Sequence, residues 1–325
     1  MDDSTDFNIL SLDGGGIRGV FAATYLAYVE EHLDECAGEY FDLIVGTSTG
    51  GIIALALAMR FPASRIASLY REEGETIFTR RWPSFLGRKL PMAADALYKR
   101  GPLYEELRRV FGDETLLGDV ESRVCIPTLN LSTGKVVVFK TRHHDEYERD
   151  HELPLWKVAA ATSAAPLYFR PVSIEQAGGS FVDGGLWANT PTMVGVAEGI
   201  RLGHAREDVR VLSIGTGSKP FYKDGHVRGR FLGGLRFGMA GWRGTLVDLV
   251  MRSQTQRAAN LTSYLLPGAN HQRIEFALPG DDFGLDAVHR TAFLAERAHE
   301  KAKDTSKDVR ENFFQRKAAP FEPLP

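Results

Sequence analysis

Three short strings in this 325-residue chain carry groups that chemistry could use. Residues 7–20 read FNILSLDGGGIRGV, in which Gly14, Gly16 and Gly19 satisfy G-x-G-x-x-G after an apolar run and before a helical pattern. That is the outline of a dinucleotide-binding turn, and equally of a loop whose amides face an oxyanion. Gly46-Thr47-Ser48-Thr49-Gly50 fits G-x-S-x-G, with a strand pattern before it and a helix pattern after, the context that presents a serine as a nucleophile. Glycines permit the tight turn, and the following helix directs its positive end at developing negative charge. The alternative is a Ser/Thr-rich helix N-cap. Asp183-Gly184-Gly185 follows a short apolar run, so its carboxylate could approach another backbone closely. A carboxylate in a dry site gains the raised pKa that a general base needs; the alternative is a hairpin turn.

The second string bears on the first. A dinucleotide fold usually ends its second strand at an acidic residue that meets the ribose. Here that strand ends in Val45-Gly46-Thr47-Ser48; Asp42 lies at its wrong end, and Asp34 and Glu35 sit at a helix end. The first turn is therefore read as a source of amides for the oxyanion formed when Ser48 attacks a carbonyl. The attack also needs a base. Of nine histidines, His143, His144 and His151 crowd one acidic loop, RHHDEYERDHE, and none has a recognisable catalytic setting. Asp183 is left as the candidate.

Elements must bring these strings together. Hydrophobic periodicity predicts strands at 8–12, 41–45, 124–131, 135–141, 181–182, 209–214 and 273–277. It predicts helices at 17–33, 52–59, 63–78, 103–111, 156–165, 191–202, 245–266 and 286–303. The opening order of strand, helix, strand, helix implies a parallel sheet with both faces covered. Both glycine turns then leave neighbouring strands at their carboxyl ends, where open α/β sheets place their sites. Residues 80–102 and 218–242 read as irregular. With 43% hydrophobic and 25% charged residues, no repeats and no low-complexity linker, one domain over 1–325 is the simplest reading.

The net charge of −3 argues against a DNA partner. Cys36 and Cys125 read as free thiols among apolar residues. The acidic N-terminus has no signal-peptide core, and the apolar run 51–59 is too short to cross a bilayer, so a cytoplasmic protein is expected. The His143-His144-Asp145-Glu146 loop with His151 and Glu152 fits no ligand spacing and reads as a solvated charged loop, with no metal. Trp82, Phe85 and Leu86 read as a lid or membrane-touching patch, or equally as packing under a long loop.

With Asp13-Gly-Gly-Gly-Ile-Arg-Gly19, Gly46-Thr-Ser-Thr-Gly50 and Asp183-Gly-Gly185 in this order, the chain resembles the patatin-like phospholipases. Ala161–Pro166 (ATSAAP) and Ser213–Gly217 (SIGTG) extend the resemblance, which runs over about 7–217 and leaves 218–325 as a variable part. The resemblance implies an α/β/α three-layer sandwich around a mostly parallel sheet, without cofactor. It implies a Ser–Asp dyad of Ser48 and Asp183, an oxyanion hole of the Gly14, Gly15 and Gly16 amides, and Arg18 bracing that loop or meeting lipid phosphate. Gly19, Gly46, Gly50, Gly184 and Gly185 complete the motifs; the third reads D-G-G where D-G-A is commoner. The implied activity is hydrolysis of fatty acyl esters of membrane phospholipids through an acyl-enzyme, at the inner membrane surface. Rival readings are a lipid-turnover hydrolase or acyltransferase, a dinucleotide oxidoreductase and a non-catalytic receptor.

A narrower resemblance is to compact bacterial patatins that serve as antiphage effectors and are switched on by cyclic nucleotides. It implies a cyclic oligonucleotide activator and admits a homo-oligomer. Arg228, Arg230, Arg236, Trp242 and Arg243, with further arginines and phenylalanines in 219–257, have the composition to grip phosphates and stack bases, or to lie on anionic headgroups.

Overall fold

The computed structural model describes residues 6–80, 95–218, 245–280 and 282–324, apart from the side chains of 245–248. Trp82, Phe85, Leu86, Arg228, Arg230, Arg236, Trp242 and Arg243 therefore lie outside the described residues.

The first strand, β1 (Phe7–Leu12), is buried along its whole length. It lies between β2 (Leu43–Gly46) and β7 (Val209–Ile214), both parallel to it. Its odd and even residues feed two separate cores. Leu10 and Leu12 join Ile44, Leu212 and Ile214 beneath α1 (Gly19–Glu30), α2 (Thr49–Ala58), α3 (Ala63–Ile77) and the last helix. Phe7 and Ile9 join Leu43, Val45, Val209 and Val211 on the opposite face, with Val196 and Leu266. This alternation is what a sheet covered on both sides requires, and it gives the expected three layers.

The full sheet has eight strands in the order β5 (Val172–Ile174), β6 (Gly179–Asp183), β3 (Arg123–Asn130), β2, β1, β7, β8 (His271–Ile274), with β4 (Lys135–Lys140) paired to β3. Pairings around β1, β2, β7 and β8 are parallel, and those of β3 with β4 and β6, and of β5 with β6, antiparallel. One detail positions the site. β4 occupies one edge of β3 along Cys125 to Asn130. The other edge is shared end to end: Arg123 to Cys125 pair with β2, and Thr128 to Asn130 with the oppositely running β6. The last residue of β6, Asp183, thus arrives just beyond the end of β2, where Ser48 emerges.

The remaining α-helices among the described residues are α4 (Arg100–Phe111), α5 (Leu155–Thr162), α6 (Gly185–Ala188), α7 (Thr192–Arg201), α8 (Thr245–Leu265) and α9 (Thr291–Phe313). Several expectations need correction. β5 was not expected. The eighth strand runs 271–274 rather than 273–277, because Glu275 leaves the ladder and accepts from the Gly217 amide. The last helix starts later than 286 and ends ten residues beyond 303: Ser306, Val309 and Phe313 keep one face buried through a mostly polar stretch. The loop after β4 is not wholly solvated, since His143 and Asp150 are buried. Cys125 is a buried free thiol and Cys36 a half-buried one.

Candidate active site

Ser48 stands between β2 and α2 with φ 56° and ψ −125°, a left-handed conformation that a non-glycine residue adopts only where its surroundings impose it. Those surroundings are visible. Its amide donates to Thr162 Oγ1 (2.9 Å), whose hydroxyl donates to Pro127 O (2.7 Å). The Thr47 hydroxyl donates to Ala188 O at 2.6 Å. Gly50 passes so close to β1 that a Cβ there would stand 2.2 Å from Leu12 O. Gly46 abuts Gly50 and Gly19 abuts Thr49 in the same way. The turn is held from every side and presents its hydroxyl at the N-terminal end of α2, where the helix dipole favours negative charge.

The Ser48 hydroxyl donates to Asp183 Oδ2 at 2.7 Å across 135 residues of sequence. Asp183 Oδ1 accepts from the Gly185 amide at 2.7 Å. Gly184 lies against Pro127 O, which seats the turn on β3. The carboxylate is 1% exposed. Burial raises its pKa from 3.8 to about 7, and the bonds from Ser48 and Gly185 only partly offset that. A serine hydroxyl thus faces a carboxylate that titrates near neutrality, an arrangement able to move a proton between oxygens. Among the described residues, no histidine enters this contact.

The glycine loop lies over the same spot. Asp13 at its root is buried, accepting two bonds from Arg273 of β8 (2.9 and 2.5 Å) and one from Thr190 (2.7 Å). Burial raises the Asp13 pKa in spite of the guanidinium. Arg273, a residue that sequence reasoning missed, also holds Glu275 at 2.7 Å, and its charge is locked in. Arg18 braces the loop, donating to Gly15 O (3.2 Å) and Gly217 O (3.3 Å). The amides of Gly14, Gly15 and Gly16 are not equivalent. Gly14 donates to Asn189 O at 2.9 Å, so its amide is already engaged and leaves the expected oxyanion set. Among the described residues, the Gly15 and Gly16 amides donate to no protein acceptor. Gly16, at φ +58°, lines a cavity of about 60 Å³ together with Ser48. Ile17, Ile52, Tyr70, Ile77, Phe78, Leu103, Ala165, Tyr168, Phe169 and Leu285 make its other walls largely apolar.

The three glycine motifs, 13–19, 46–50 and 183–185, fall within residues 10–196, the stretch matched by a family model described as patatin-like phospholipase. The chain belongs to the patatin-like phospholipase family. A cGAMP-activated phospholipase of Escherichia coli (strain TW11681) is 41% identical over 226 residues, 66% of this chain and 63% of that protein. One of Pseudomonas aeruginosa (strain BWHPSA011 / Pa011) is 37% identical over 291 residues, 89% of this chain and 84% of that protein. Patatin-like protein 4 of Arabidopsis thaliana is 32% identical over 243 residues, 65% and 59% of the two chains. The chain thus spans less than two thirds of the length of the first and third of these relatives.

Outside the patatin-like motifs, one further group of metal-ligating types converges among the described residues: Cys125, His143 and Glu198, with ligand atoms within 4.8 Å of one another. Glu198 accepts from Lys140 (2.5 Å), His143 (3.1 Å) and Tyr147 (2.6 Å). Burial pushes its pKa up, but these bonds outweigh it and bring it down to about 2. The lysine ammonium already stands where a cation would. The cluster ties β4 to α7 and lies apart from Ser48. No helix among the described residues is long and apolar enough to cross a membrane.

Proposed function

We propose that this protein releases fatty acids from membrane phospholipids through a Ser48–Asp183 dyad, under the control of a cyclic nucleotide. The observation that carries the chemistry is the 2.7 Å bond from the serine to a buried carboxylate that titrates near pH 7. Asp183 takes the Ser48 proton as Oγ attacks the ester carbonyl. The oxyanion meets the Gly15 and Gly16 amides and the start of α2. The intermediate collapses, Asp183 returns the proton to the departing lysolipid, and water then hydrolyses acyl-Ser48 with Asp183 again as base. The apolar cavity that opens on Ser48 suits an acyl chain.

Control by a ligand rests on the relatives. Two of the relatives described above carry activation by cGAMP in their names, and the longer match covers 89% of this chain. Residues 1–325 act as one patatin-like unit in this reading, meeting the bilayer transiently from the cytoplasmic side.

The test is fatty acid release from phospholipid vesicles by wild type and Ser48→Ala, with and without cGAMP and a panel of other cyclic di- and trinucleotides. Release by wild type alone is expected, and only with a nucleotide present. Equal release by both variants removes Ser48 from its role. Release by wild type at one rate under all conditions removes the nucleotide and leaves the hydrolase.

A further inference from the structure

The turn that carries Asp183 leads directly to Asn189, a residue that none of the motif readings uses. Its side chain is nearly enclosed, the residue being 7% exposed. Its backbone carbonyl and its side-chain amino group are both engaged. Asn189 O accepts the Gly14 amide at 2.9 Å. Asn189 Nδ2 donates to Gly14 O at 3.4 Å and to Thr255 Oγ1 at 3.1 Å. A carbonyl accepts only, so Gly14 O fixes the amino group on its own side and leaves Oδ1 facing the other way. That Oδ1 is buried and has no partner among the described residues.

Its position is defined by two glycines. A Cβ built on Gly14 would stand 2.5 Å from Asn189 Oδ1 and 3.2 Å from the Ser48 Cβ. A Cβ built on Gly185 would stand 3.1 Å from Asn189 Oδ1 and 3.0 Å from Asp183 Oδ1. The orphan acceptor therefore lies near both the Ser48 side chain and the Asp183 carboxylate, with the Met251 methyl packed 2.6 Å from the same Gly185 Cβ position. A buried carbonyl without a donor is costly, and in native proteins the usual partner of such a group is an ordered water.

We propose that Asn189 Oδ1 accepts a hydrogen bond from the water that hydrolyses acyl-Ser48 and so orients it for Asp183. The inference rests on the dyad reading above. In the step it serves, one water proton goes to the Asp183 carboxylate, while the other stays on the water oxygen and is donated in a hydrogen bond to Asn189 Oδ1. The water oxygen forms a bond to the acyl carbon. The tetrahedral intermediate then expels Ser48 Oγ, which takes the proton back from Asp183, and the fatty acid departs with the oxygen of the water. Asn189 is unchanged throughout. Acylation uses no water, so Asn189 Oδ1 has no part in the first half of the cycle.

This asymmetry is the test. Wild type, Asn189→Ala and the near-isosteric Asn189→Leu are mixed with p-nitrophenyl butyrate under the nucleotide conditions that support vesicle hydrolysis. Nitrophenol release is followed from the first turnover, and intact-protein mass reports butyryl adduct. Losing one neutral hydrogen bond in the second step should slow deacylation about tenfold. A burst approaching one nitrophenol per enzyme is expected, with an adduct on Ser48 that wild type does not accumulate. Thr255→Val, which removes one partner of Nδ2 and leaves Oδ1 in place, should keep the wild-type ratio of the two steps. The isosteric variant keeps the question answerable if the alanine variant does not fold. If both steps slow together in either folded variant, with no adduct, Asn189 is a clamp and the water role is overturned. If wild type turns over the ester but Ser48→Ala does so equally, the dyad reading itself falls and takes this inference with it.

Discussion

Replacing Asp183 by Asn should abolish catalysis and stabilise the protein, increasingly so as pH rises. In the fold the carboxyl is buried to 1% exposure, and burial lifts its pKa from the ordinary 3.8 to about 7. The folded-state value lies above the unfolded one, so folding favours the neutral acid. That contribution is fully present below about pH 4 and lost as pH rises through about 7. A shift of about three units corresponds to about 4 kcal/mol of stability forfeited across that window, on the order of a third or more of a typical domain's total. An asparagine carries the same shape without the charge and has no such slope. Urea denaturation of wild type and Asp183→Asn between pH 4 and pH 8 is the assay. The stability difference should widen in favour of the variant by a few kcal/mol and level off above pH 7, while esterase activity stays at background. Wild-type activity should rise with pH through the same region as the base ionises. Parallel stability curves would mean that the carboxylate is not held up by its dry surroundings, and the argument for a base poised near neutrality would go with it.

Other perturbations probe the scaffold. Gly50→Ala sets a methyl 2.2 Å from a backbone carbonyl of β1, so the Ser48 turn must shift; a loss of about 1–3 kcal/mol and of esterase activity together is expected, read by urea midpoint and by p-nitrophenyl butyrate. Arg273→Met strands the buried Asp13 carboxylate without its cation and should cost about 3–5 kcal/mol, part of which a second change, Asp13→Asn, should restore. A full-strength Arg273→Met protein in urea would show that the ion pair under the glycine loop is decorative.

Each of the strings around Ser48 and Asp183 also reads locally as a helix cap or a turn, and it was their order along the chain, with the glycine loop first, that singled these two residues out. The hidden features are of another kind. That Gly14 spends its amide on Asn189 follows from a contact across 175 residues, and no local pattern marks it. Arg273 meets Asp13 across 260 residues, from a strand whose letters, HQRI, look like any edge. His143 sits in a charge-rich string that suggests solvent, yet the carboxylate of Glu198 on a distant helix draws it inward. The second half of α9 was missed because its spacing of buried residues uses a serine where a hydrophobic residue would have betrayed the period.

The shared edge of β3 has a consequence for how this site can change over time. Ser48 and Asp183 never touch through their own strands; each is registered separately on one common neighbour, Arg123 to Cys125 for the first and Thr128 to Asn130 for the second. Residues 126 and 127 are therefore a gauge that sets the gap between alcohol and acid. Inserting a single residue there would leave every reactive atom in the chain and every motif unaltered, and would still put the two oxygens out of reach of one proton.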